Sequence, residues 1–172
     1  GEAADGRGEA TVLTQIVPRL WQKADLAEVR AALYSDQIAR AEIAGLAWAA
    51  SCAAERGDRV AQRILADAGI ALARSAAAVI ARLGESLAVY PAGGVFRAGA
   101  WVLQPFADML RSLAAGAEIR MPAFPQVAGS LLLAQQQAGL PIDAAYLERL
   151  RATLPRSLVD KSAGRDCAEL VE

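Results

Sequence analysis

Residues Leu87 to Arg97 read Leu-Ala-Val-Tyr-Pro-Ala-Gly-Gly-Val-Phe-Arg, a short apolar run that breaks at Gly93-Gly94 and is soon followed by a helical pattern. Two consecutive residues without Cβ let a backbone come close to a flat ligand, and a helix starting just beyond offers unpaired N–H groups and the positive end of its dipole. A nucleotide is the natural occupant of such a turn, although a Gly pair after a strand also serves as a plain tight turn. Elsewhere the residue types close chemistry off. The chain has no histidine, which removes Ser-His-Asp, Cys-His and His-metal arrangements within it. Two cysteines, Cys52 and Cys167, cannot supply a metal cage and read as reduced thiols, with Cys52 as a small core residue. Asp58, Asp108 and Asp143 read as helix caps or exposed charges, and none is assigned to catalysis.

The elements that must position this turn follow from the hydrophobic pattern. Val12 to Trp21 and Leu26 to Tyr34 read as short helices, the second capped by Asp25. Ile38 to Arg56 carries Ile43, Leu46, Ala47, Ala50 and Ala54 at helical spacing and stops at Gly57. Asp58 opens the most regular helix, a central one whose stripe is Val60, Ile64, Leu65, Ala68, Leu72, Ala76, Val79, Ile80 and Leu83, ended by Gly84. A strand, Leu87 to Tyr90, is followed by a helix from Trp101 to Leu113. A second strand, Glu118 to Met121, is followed by a helix whose inward residues are Val127, Leu131, Ala134 and Ala138. Strand, helix, strand, helix implies parallel strands joined by crossovers. An amphipathic helix from Asp143 to Leu154 puts Tyr146, Leu147, Leu150 and Leu154 on one side, and the charged tail beyond it reads as disordered.

With 172 residues, 55% of them hydrophobic, the chain can bury one substantial core. Its 18 basic and 19 acidic residues, net charge −1, leave no electrostatic footprint for nucleic acid or anionic lipid. No apolar stretch reads as long enough to cross a bilayer, and the acidic, Gly-rich start is unlike a signal peptide, so a cytoplasmic domain is expected.

Asp5-Gly6-Arg7-Gly8, Ile43-Ala44-Gly45-Leu46-Ala47, the Gly57-Asp58 junction, Ala92-Gly93-Gly94-Val95-Phe96 and Val127-Ala128-Gly129-Ser130-Leu131-Leu132-Leu133-Ala134 occur in a recognisable order. The series resembles the C-terminal half of the BadF/BadG/BcrA/BcrD ATPase family, whose members include N-acetylglucosamine kinases. The resemblance implies a helix-rich α/β chain, the C-terminal half of an actin-like, ribonuclease H-like ATPase fold with an incomplete parallel sheet. Residues 1–139 would form the nucleotide-binding subdomain, and 140–172 a C-terminal helix and tail with no counterpart.

By the same resemblance Gly93 and Gly94 would lie against the adenosine of ATP, with Val95, Phe96 and Arg97 on the adenine or ribose side. The family's two phosphate loops and catalytic aspartate precede the region matched and have no counterpart in these residues, so the Mg2+ and most of the ATP would be held elsewhere and this chain alone should not catalyse. The parent protein would phosphorylate an amino sugar. Two other readings stay open: an activator ATPase of a dehydratase, disfavoured because its iron-sulfur cluster needs cysteine ligands that Cys52 and Cys167 do not suit, and a non-catalytic helical interaction module using Trp48 and the 140–154 region. An incomplete sheet is expected to cover its edge with another copy of the chain, giving a homodimer, or with the missing half.

Overall fold

Three aspartates start three of the helices. Asp25 accepts the N–H groups of Ala27 and Glu28 to open α2 (Leu26–Tyr34), Asp58 accepts Ala61 N–H to open α4 (Arg59–Leu83), and Asp143 accepts Tyr146 N–H to open α7 (Ala144–Thr153). Each supplies an acceptor for a donor that the first helical turn leaves unpaired. The computed structural model describes residues 3, 5–35, 38–84, 87–155 and 167. Its remaining elements are α1 (Leu13–Leu20), α3 (Arg40–Glu55), β1 (Ala88–Val89), a 3-10 turn (Gly94–Ala98), α5 (Ala100–Leu113), β2 (Glu118–Ile119) and α6 (Gln126–Gln137). The charged tail expected to be disordered lies, apart from Pro155 and Cys167, outside the described residues.

The chain is thus a helix-rich α/β structure with a small sheet of two parallel strands. Ala88 pairs with Glu118 and Val89 with Ile119, and Arg120 N–H extends the ladder by donating to Val89 C=O at 3.0 Å. The crossover between the strands is α5, which runs in the same direction as α4. Ala61 and Leu65 meet Val102, while Ala73, a few turns on, meets Phe106 and Leu110. Val89 and Ile119 pack against that second group, so the α4–α5 pair covers one face of the sheet.

Two alanines, a glycine and Leu65, the one large residue of the expected stripe that is buried, make the α4 contact. The residues of α4 that are buried are Ala61, Leu65, Gly69 and Ala73. Of the stripe expected to face inward, Ile64, Leu72, Val79 and Leu83 are exposed, at 48, 37, 55 and 58%. The reason is steric. A Cβ on Gly69 would lie 2.3 Å from the carbonyl oxygen of Val102 and 3.1 Å from the nitrogen of Phe106, so the two backbones touch where only small residues fit. A search for large apolar residues at helical spacing finds the neighbouring face. The same correction applies to α6, where Ala128 is buried and Val127 and Leu131 are exposed; in α3 Ala50 and Ala54 are buried as expected, joined by Ala49 and Ala53, and Ile43 is exposed. The α7 pattern agrees with the sequence, with Leu150 buried and Tyr146, Leu147 and Leu154 half-buried.

Cys52 and Cys167 are not free thiols. They form a disulfide across 115 residues of sequence, with Cα atoms 5.4 Å apart, tying the end of the chain to the buried face of α3. Sequence separation hid this pairing, because nothing local shows that the tail returns to α3. Cys52 does occupy the core, fully buried among Ala49, Ala53, Ala61, Leu65 and Val102, with Trp48 packed against the same group. A second correction concerns α4, which by length and composition is long and apolar enough to cross a bilayer. Its contacts with α5 and α3 bury only 17% of that apolar window, and Ile64, Leu72, Val79 and Leu83 stay exposed.

The close approach of α4 and α5 predicts that Gly69→Ala lowers stability by about 1–3 kcal/mol, the range for overpacking a filled core, despite the better helix propensity of Ala. Urea denaturation of the two proteins measures it, and Ala at the half-buried Gly45 of α3, where a Cβ meets nothing within 4 Å, is the control.

Candidate functional site

Both strands run into Pro-containing loops at their carboxyl ends, and because the strands are adjacent and parallel the two loops lie side by side. The first, Pro91-Ala92-Gly93-Gly94, leads into the 3-10 turn; the second, Pro122-Ala123-Phe124-Pro125, leads into α6. Between them is a cavity of about 250 Å³ lined by Pro91 to Gly94, Phe96 and Arg97 on one side and Pro122 to Gln126 on the other. The carboxyl edge of a parallel sheet is where α/β folds place ligands, because helix N-termini converge there. No side chain caps the N-terminus of α6.

Gly93 has φ +110°, a conformation that side chains rarely adopt, and it starts the 3-10 turn. Gly94 needs no such backbone, but a Cβ on it would meet nothing within 4 Å, so its surface is open to an incoming group. Phe96 serves two ends. It lines the cavity and also packs edge-on against the buried Phe106 of α5, with ring centroids 5.3 Å apart and planes at 84°. The first loop is thereby anchored to the α4–α5 pair. Arg97 is exposed and, among the described residues, is the only charged residue in the lining.

Of the five residues singled out from the sequence, Gly93, Gly94, Phe96 and Arg97 line the cavity, and Val95 turns away to pack on the core beside Ile16 and Cys52. Sequence reasoning missed the second wall, Pro122 to Gln126. A signal for it was present in the strand-helix-strand order, since parallel neighbours put successive loops at the same end.

Two larger cavities lie nearby but are bounded by residues already engaged. One, about 640 Å³, sits between the N-terminal ends of α4 and α5, where Arg59 and Arg63 pair with Glu9 at 3.7 and 3.6 Å, beside Trp101 and Gln104. The other, about 550 Å³, surrounds Asp58. Burial pushes the Asp58 carboxyl up, but hydrogen bonds from Ala61 N–H, the Thr11 hydroxyl, Val12 N–H and Val60 N–H outweigh it and hold it below the ordinary carboxylate range. The Thr11 and Val12 bonds, 2.8 and 2.7 Å, staple the loop before α1 to the start of α4. Asp58 is therefore a structural cap. Asp143 is likewise a cap, and Asp108 is exposed and bound to Gln104 and Arg111 on its own helix.

The cavity lining contains no carboxylate. Among the described residues no group of three or more Asp, Glu, Cys or His residues comes together to hold a metal ion. Among the described residues the lining offers two aromatic rings, Phe96 and Phe124, and one guanidinium, Arg97, and no carboxylate ligand for Mg2+.

The chain is an α/β structure with a glycine turn and a cavity at the carboxyl edge of its parallel strands. A sequence model of the BadF/BadG/BcrA/BcrD ATPase family matches residues 1–134, and the chain belongs to that family. The match takes in both cavity loops and most of α6, and α7 lies beyond it. No curated protein matches the chain.

The depressed Asp58 carboxyl carries a pH dependence with a definite sign. A folded-state pKa below the unfolded value of ~3.9 means that its contribution is complete above that pH and is lost as pH falls through the lower folded-state value. Asp58→Ala is expected to cost about 1–2 kcal/mol near neutral pH, as for other lost caps, and the gap from the unaltered protein should shrink as pH falls below about 4. Urea titrations at several pH values measure both.

Proposed function

We propose that this chain is the nucleoside-binding portion of an ATP-dependent sugar kinase resembling N-acetylglucosamine kinase, and that the cavity between the Gly93-Gly94 turn and the Pro122–Gln126 loop takes the adenosine of ATP. The observation that carries the proposal is the coincidence of the two glycines with a cavity at the carboxyl edge of the sheet. Membership of an ATPase family supports a nucleotide as the ligand class.

In this reading Gly94 gives the ring system a flat backbone surface, Phe96 and Phe124 supply apolar walls, and Arg97 meets the phosphate end. Binding and orientation are what these side chains can do. Transfer of the γ-phosphoryl group to an amino-sugar hydroxyl requires a metal and a base, and no residue of this cavity is assigned to either. The activator reading loses ground, because Cys52 and Cys167 are bonded to each other and neither sulfur is a thiolate for a cluster. The interaction-module reading loses Trp48, which is packed on the core.

The reading extends to assembly. Among the described residues β1 pairs with one strand, β2, and its other edge is the place where a second copy of the chain would pair. Sedimentation over a range of concentrations should show a monomer–dimer equilibrium, and a strict monomer at high concentration would contradict the homodimer.

The binding test is Gly94→Val. Its side chain enters open space, so the fold should persist while ADP affinity, read by calorimetry with Mg2+ present, falls by tenfold or more, roughly the 1.4 kcal/mol of one lost packing contact. Equal affinity in both proteins, or none in the unaltered chain, would count against the proposal.

A further inference from the structure

Phe124 belongs to the cavity, but what holds it comes from elsewhere. The Arg151 guanidinium carbon lies 5.2 Å from the centroid of the Phe124 ring, over its face, which is cation–π geometry. Arg151 sits on α7, past the last residue of the family match, and is not among the residues lining the cavity.

Both partners are constrained. Phe124 stands in Met121-Pro122-Ala123-Phe124-Pro125, where the prolines fix their own φ and push Met121 and Phe124 toward extended backbone. Helix α7 is capped by Asp143, seated by the buried Leu150, and approached by α6 through Gln135, whose amide donates to Pro141 C=O at 3.3 Å. The cation is thus presented by an anchored helix to an aromatic ring on a stiff loop.

We infer that Arg151 is a positioning residue for the base-binding wall: it holds the Phe124 ring in place for stacking against a flat heteroaromatic base, of the kind a purine nucleoside carries, and so makes the segment after the family match part of the site. The inference rests on the nucleoside reading of this cavity. A stacked base would gain from a ring held in advance, because ordering the ring is not then a cost of binding.

The test titrates adenosine, and separately ADP with Mg2+, into the 172-residue chain and its Arg151→Ala, Arg151→Lys and Phe124→Leu variants, with a melting temperature for each. Arg151→Ala should weaken adenosine and ADP by the same factor, about two- to fivefold for one exposed cation–π contact. Arg151→Lys, which keeps a cation, should recover most of that loss, and Phe124→Leu should lose about fivefold or more. Melting temperatures should fall by no more than about 4 °C in the two Arg151 variants, the loss of one exposed cation–π contact. Unchanged affinity in Arg151→Ala with normal binding by the unaltered chain would overturn the positioning role alone. A loss that Arg151→Lys does not recover, or that comes with a larger fall in melting temperature, would overturn it too. Failure of the unaltered chain to bind adenosine or ADP would remove the nucleoside reading itself. If Arg151→Ala does not fold, Phe124→Leu and Arg151→Lys decide the question by the same criteria.

Discussion

The contact between the backbones of α4 and α5 at Gly69 is the constraint on which the other elements depend. Because a carbonyl of α5 occupies the space that a side chain at position 69 would take, the two helices share one line of closest approach. Ala61 and Leu65 on one side of Gly69 and Ala73 on the other fall on Val102, Phe106 and Leu110. With α5 so placed, β1 and β2 on either side of it in sequence are brought together in parallel, and Val89 and Ile119 close the apolar layer beneath the helices. The loops that leave the strands must then emerge at one end. Phe96 carries this order into the site, since the same ring touches Phe106 in the core and lines the cavity.

Much of this was legible in the sequence, and the reasons differ by element. Helix starts at Asp25, Asp58 and Asp143 were readable because a side-chain acceptor at the cap is a local requirement. The strand-helix-strand order was readable because Gly93-Gly94 breaks the chain between β1 and α5 and Pro122 ends the second strand. The buried face of α4 was not, because burial there is decided by how closely another backbone approaches, a property of the partner helix and not of α4. Large residues at helical spacing drew attention to Ile64, Leu72 and Val79, while the packing runs along Ala61, Gly69 and Ala73. The disulfide was also beyond a local reading, as 115 residues separate its two cysteines.

The site divides the same way. Its first wall has an intrinsic signal, two adjacent glycines after an apolar run. Its second wall, Pro122 to Gln126, has none of its own and becomes visible only when the strands are placed side by side. Family membership covers both walls but not α7, so what α7 contributes through Arg151 could be found only in three dimensions. Among the described residues, two contacts of the C-terminal segment differ in character. Arg151 meets a loop of the cavity by a soft cation–π contact, and Cys167 meets the buried face of α3 by a covalent bond.

The central claim is that a nucleoside enters between the two loops rather than the larger cavity beside Arg59 and Trp101. Amide hydrogen exchange of the chain with and without ADP and Mg2+ tests it most directly. The account predicts added protection within residues 90–98 and 120–126, with little change around Arg59 to Ala66 and Ala100 to Gln104. Protection confined to the second region, or no protection anywhere at saturating ADP, would contradict it.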